Sequence, residues 1–110
     1  MECSIKNKVW IMKKLEVLEE VPVNTVISEN EHLVYTAILD EIEKVYDNKE
    51  VKMIDVLRLV IGGEDFTLPI KRDVFPDALK NCLKYFEKPD VEEYEKCSKC
   101  LNIINYLNKL

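Results

Sequence analysis

Apolar residues fall on odd-numbered positions early in the chain, where Val9, Ile11, Leu15, Val17, Val21 and Val23 are spaced by two or by four. Side chains so spaced share one face of an extended strand, so the stretch predicts a half-buried hairpin turning near Lys13 and Lys14. Pro22 fits at a strand edge, where its missing N–H removes no ladder bond. Ile11, Leu15 and Leu18 also suit a helix, and both readings stay open. Ser28 followed by Glu31 has the spacing of a capping box, predicting a helix from there to about Tyr46. Its buried stripe is Leu33, Val34, Ala37, Ile38, Ile42 and Val45. The segment VKMIDVLRLVIGG reads either as a helix stopped by glycine or as a strand turning through GGED into FTLPIK, so residues 51–61 are open between the two. Pro76 opens a helix lined by Leu79, Cys82, Leu83 and Phe86, and Pro89 stops it. Asp90 with Glu93 makes a second capping box, before a helix striped by Tyr94, Cys97, Leu101, Ile104 and Leu107. The pattern as a whole is α+β with a mainly helical second half.

Charge and composition narrow what such a chain does. It has 110 residues, 47% of them apolar and 34% charged, which suits one domain with one hydrophobic core. The formal net charge of −5, with basic residues scattered among acids, offers no cationic face to phosphates. Direct nucleic-acid binding is therefore not expected. The N-terminus lacks the apolar core and cleavage site of a secretory signal, and no apolar run approaches the ~20 residues needed to span a bilayer. The expected location is cytoplasmic or nuclear, without membrane contact. In a reducing compartment Cys3, Cys82, Cys97 and Cys100 are expected to stay thiols and to act as small core residues.

Candidate chemistry is sparse. His32 is the single histidine and lies in the first turn of a helix, where a surface or partly packed role is expected. Gly62 and Gly63 lack the Lys-Ser/Thr that would follow in a phosphate loop and read as turn formers. Glu41 with Glu43, and Glu92 with Glu93, read as solvated helix positions. Cys97 and Cys100 have zinc-ligand spacing, but a site also needs Cys3, Cys82 or His32, and core packing is the default expectation. No catalytic residue, metal or cofactor is expected.

The stretch GGEDFTLPIKRDVFPDALKNCLKYFE resembles the third strand and following helix of BTB/POZ-fold adaptors, especially elongin C and the Skp-type family, with Leu79, Tyr85 and Phe86 matching the helix pattern. EEVPVNTVISENEHLVYTAILDEI looks like the second strand, short helix and next helix, and KCLNIINYLNKL is similar to the final helix. The segment from Glu43 to Ile61 is longer than in the family. Asn102, Asn105 and Asn108 replace residues that are usually small or apolar there. The resemblance implies a single BTB/POZ-like domain over 1–110, a small three-stranded sheet packed against a cluster of α-helices. It further implies a non-enzymatic adaptor that takes a partner helix in an apolar groove. Candidate wall residues are Tyr85, Phe86, Leu101, Ile104, Tyr106 and Leu107, with Leu79 and Leu83 expected to leave apolar surface open between the last two helices. Candidate partners are the helical box of a substrate receptor, a cullin within a ubiquitin ligase, or a second copy forming a homodimer. The rival expectations are a small acidic viral or phage inhibitor that blocks a basic, nucleic-acid-binding cleft of a host enzyme, and a metal protein using Cys97 and Cys100.

Overall fold

The structure, a computed structural model, describes residues 13–109. Its elements in chain order are β1 (Lys13–Val17), α1 (Val23–Glu29), α2 (Glu31–Val45), β2 (Met53–Ile61), β3 (Glu64–Lys71), a 3₁₀ turn (Arg72–Val74), α3 (Phe75–Phe86) and α4 (Tyr94–Asn108). The described residues form a mixed sheet in the order β1-β2-β3, with β1 parallel and β3 antiparallel to the central β2. This is the α+β class with a three-stranded sheet against helices.

Alternation organises the sheet. Leu15, Leu59 and Phe66 are register partners across the three strands, as are Leu57 with Leu68 and Val17 with Ile61, so these residues share the face toward the helices. Lys14, Glu16, Arg58, Asp65 and Thr67 occupy the opposite, polar face. A register shift between Asp55 and Leu57 lets the consecutive Val56 and Leu57 both bury, which a regular strand forbids. Gly62 and Gly63 close the β2–β3 hairpin with φ of 56° and 85°, the paired left-handed geometry of a tight two-residue turn.

The turn expected near Lys13 and Lys14 does not form there. Both residues lie inside β1, and the chain returns to the sheet in parallel through α1 and α2. A parallel pair needs a long crossover, whereas alternation alone looks the same in parallel and antiparallel strands. Val9 and Ile11 lie outside the described residues. Val21 precedes a helix, and Val23 opens α1 directly after Pro22. The Ser28–Glu31 capping box does not form either, because Ser28 belongs to α1 and its hydroxyl donates to the Thr25 carbonyl at 3.1 Å. Asn30 separates α1 from α2 and donates from Nδ2 to the Val26 carbonyl at 2.7 Å. Residues 53–61 are a strand, and α3 starts with Pro76 in its first turn as expected.

The core lies between the inner sheet face and α2, α3 and α4. Leu39, Ile42, Leu57, Leu59, Phe75, Leu79 and Phe86 are its largest fully buried side chains. Two polar ties hold the layers. Lys13 on β1 pairs with Asp40 on α2 at 2.8 Å. Arg72 donates to the carbonyls of Tyr46, Asn48 and Val51 at 2.6, 3.0 and 3.1 Å, fastening the α2–β2 loop beside Phe75. Among the described residues, no helix is long and apolar enough to cross a membrane.

Candidate functional site

The six candidate wall residues do not line one groove. Phe86 is fully buried and Ile104 nearly so, both within the core cluster that includes Leu79, Cys82, Cys100 and Ile103. Leu107 packs partly onto that cluster. Tyr106 meets Tyr46 edge-on at 5.0 Å and joins the end of α4 to the end of α2. Leu101 points away, 47% exposed, as does Tyr94 at 69%. The buried face of α4 is therefore Cys97, Cys100, Ile103 and Ile104, turned from the expected stripe. The open apolar seam expected between α3 and α4 is absent because these helices pack on each other and α2 covers their shared apolar face.

Tyr85 stands apart, on a corner where α2 and α3 meet. Its ring stacks on Tyr35 with centroids 4.9 Å apart and planes 27° apart, and meets Phe86 edge-on at 5.2 Å. His32 approaches edge-on to Tyr85 at 6.1 Å and to Phe86 at 6.3 Å. The Lys88 ammonium sits 5.4 Å from the Tyr85 ring centre and 3.9 Å from the Glu31 carboxylate. One side of the corner is a depression of about 600 Å³ lined by Ser28, Asn30, Glu31, His32, Thr36 and Tyr85. On the other side is a hollow of about 140 Å³ bordered by Asn81, Lys84 and Lys88.

The polar groups of this corner are coupled. Glu93, at the start of α4, accepts a hydrogen bond from Lys96 at 2.6 Å and is also bonded to His32 Nε2, so α2 and α4 are tied by one carboxylate. Lys96 first and His32 second hold the Glu93 carboxyl below its ordinary value. The expected Asp90–Glu93 capping box does not form, because α4 starts only at Tyr94 with Glu93 itself, not Asp90, at its N-cap, and no side-chain cap bond is made. Burial first, and Glu31 second, push both the Tyr35 and Tyr85 hydroxyls up, so the phenols stay neutral donors. Thr36 Oγ1 is closed off from solvent without a partner among the described residues. Ser28, the hydroxyl lining the same depression as His32, is engaged with Thr25 and has, among the described residues, no contact with the base an activated nucleophile needs.

Cys82, Cys97 and Cys100 are buried free thiols, with Cys82 donating to the Tyr35 carbonyl at 3.6 Å. Burial, reinforced by Cys100, pushes the Cys82 thiol up to about 12. Burial, reinforced by Cys97, pushes Cys100 up to about 11. Such groups are poor thiolates and pack as small hydrophobes. Among the described residues no group of three or more His, Cys, Asp or Glu side chains converges to hold a metal ion, and Cys3 lies outside those residues.

No protein-family model, curated protein or solved structure matches the chain. The chemistry of the corner therefore stands on its own residues. Sequence reading identified Tyr85 but missed Tyr35 and Glu93, which only the crossing of α2 with α3 and α4 brings together. A weak signal existed: His32 and Tyr35 are three apart and so share a helix face.

Proposed function

We propose that this protein is a non-enzymatic adaptor that binds a partner protein through the corner centred on Tyr85. The observation that carries the reading is the Tyr35–Tyr85 stack, partly exposed and ringed by Glu31, Lys84 and Lys88. An amphipathic ring held rigid by a neighbour loses little side-chain entropy on contact, which is why tyrosines so often dominate interface energy. The surrounding charges then set register and orientation. A BTB-like assignment belongs to this proposal, supported by the small three-stranded sheet on a helical layer and by the sequence stretches of β2–β3–α3. It makes a helical segment of a ubiquitin-ligase component the first partner to seek.

The test places a photo-crosslinking amino acid at position 85 in the full chain, with position 80 on the exposed side of α3 as control. A discrete protein adduct at 85 and none at 80 is expected. Equal labelling at both positions, or none at 85, overturns the surface. Loss of the complex as salt rises from 0.1 M to 1 M favours the acidic-inhibitor alternative, because screening then shrinks from ~10 Å to ~3 Å.

A further inference from the structure

The geometry points to a second docking surface at the hairpin end of the sheet, built to take a bulky aliphatic or aromatic side chain of a partner polypeptide flanked by lysine or arginine. A notch of about 250 Å³ is lined there by Val21, Pro22, Val23, Ile61 and Phe66, with Glu20 and Glu64 as its polar residues. Among the described residues no cationic side chain lines it. Phe66 is 40% and Val23 37% exposed, and Leu18, in the same β1–α1 loop, is 87% exposed. Isolated apolar residues at a surface need no explanation, but a concave cluster closed by two acids does.

The notch is held in shape before anything binds. The Gly62 N–H donates to the Val17 carbonyl at 2.9 Å, drawing the loop of Leu18 to Pro22 down onto the β2–β3 turn. Glu20 lies directly over Gly62, in space that any larger residue would need. Pro22 fixes the entry to α1 and shows one apolar wall. A pre-formed apolar pocket loses little freedom on binding. Glu19, Glu20 and Glu64 form no ion pair with a described residue, whereas the nearby Asp65 is already paired to Arg58. Glu20 and Glu64, without an ion-pair partner among the described residues, border the apolar floor and select an anchor with cationic flanks and repel one with acidic flanks. The surface is distinct from the Tyr85 corner, since α1 runs from Val23 at the notch to Ser28 and Glu29 at the depression.

The test uses the labelled full chain on an array of synthetic peptides XXSZSSXX, where X is Lys, Ser or Glu and Z is Leu, Phe or Gly. Retention should require Leu or Phe at Z and should rank Lys above Ser above Glu, with about a ten-fold span expected from exposed ion pairs. The double substitution Glu20→Lys, Glu64→Lys changes two exposed side chains and should invert that ranking with an unchanged circular-dichroism melt. Phe66→Ser should abolish retention, whereas Tyr85→Ala should leave the pattern intact, so failure here is separable from failure of the corner. Retention indifferent to the flanks, a ranking that the charge reversal does not invert, or no retention at all overturns the proposal.

Discussion

Single residues here divide sharply between packing and display, and the neighbours Tyr85 and Phe86 show it. Helical spacing gives both an apolar side chain near one face, and only the crossing of α2 decides that Phe86 is sealed while Tyr85 stays at the rim. Phe86→Ala should therefore cost about 3–5 kcal/mol in chemical denaturation. Tyr85→Ala should cost about 1 kcal/mol, the loss of its stack on Tyr35. Equal costs would put Tyr85 in the core and remove it as a contact residue. A second residue-scale expectation concerns Glu92, the one non-glycine residue with positive φ among those described, at 47°. That turn lets the Glu92 and Glu93 N–H groups reach back to the carbonyls of Lys88 and Phe86, at 2.9 and 3.2 Å, so the conformation is imposed by the α3–α4 connection. Glu92→Gly should raise stability by about 0.5–1 kcal/mol, since glycine takes this conformation without a Cβ clash. A lower melting temperature for that variant would contradict it.

At the scale of elements, α2, α3 and the glycine turn were legible because each is punctuated locally: an apolar stripe, Pro76 in a first turn, Gly62 with Gly63. The partnership of β1 was not legible. Leu15 and Val17 carry the same alternation whether the next strand runs parallel or antiparallel, and the deciding crossover is encoded in how α1 and α2 pack. Both predicted capping boxes failed for a related reason, since the helices start elsewhere than the spacing implies: Ser28 lies inside α1 and Asn30 is the N-cap residue of α2, while Glu93 rather than Asp90 is the N-cap residue of α4. Gly62 tests the element scale most directly. Alanine there meets a left-handed φ and the Glu20 side chain together, so Gly62→Ala should destabilise by about 1–2 kcal/mol. Gly63→Ala has open space around it and should cost only the conformational part. Equal losses measured by thermal melting would show that the β1–α1 loop does not rest on the turn.

For the whole molecule, the distribution of shifted protonation equilibria fixes how stability depends on pH. On the acid side, Lys96 and His32 hold Glu93 below its ordinary 4.5, and Arg58 holds Asp65 below its ordinary 3.8. The unfolded chain then binds protons before the folded one does, so the stability these groups contribute is complete above their ordinary values and is lost as pH falls through the folded ones. Asp65 is exposed and Glu93 only half-buried, so this acid arm should be shallow and weakened by salt. On the alkaline side the sign reverses. Burial keeps Cys82 and Cys100 protonated up to about 12 and about 11, whereas an unfolded cysteine releases its proton near 9.0. Between those values the folded state holds the extra protons, and stability falls as pH rises. For Cys82 alone the loss by pH 11 is about 2–3 kcal/mol, and the raised Tyr35 and Tyr85 hydroxyls add in the same direction above their ordinary 10.0. Denaturant midpoints followed from pH 3 to 11 should thus show a broad maximum with its steeper side above pH 9. Cys82→Ala, although it lowers the midpoint at neutral pH by removing packed volume, should flatten that alkaline side. A midpoint that stays level from pH 9 to 11 in the unsubstituted protein would mean that the thiols are not held neutral in the core, and with them would go the sealed α3–α4 seam.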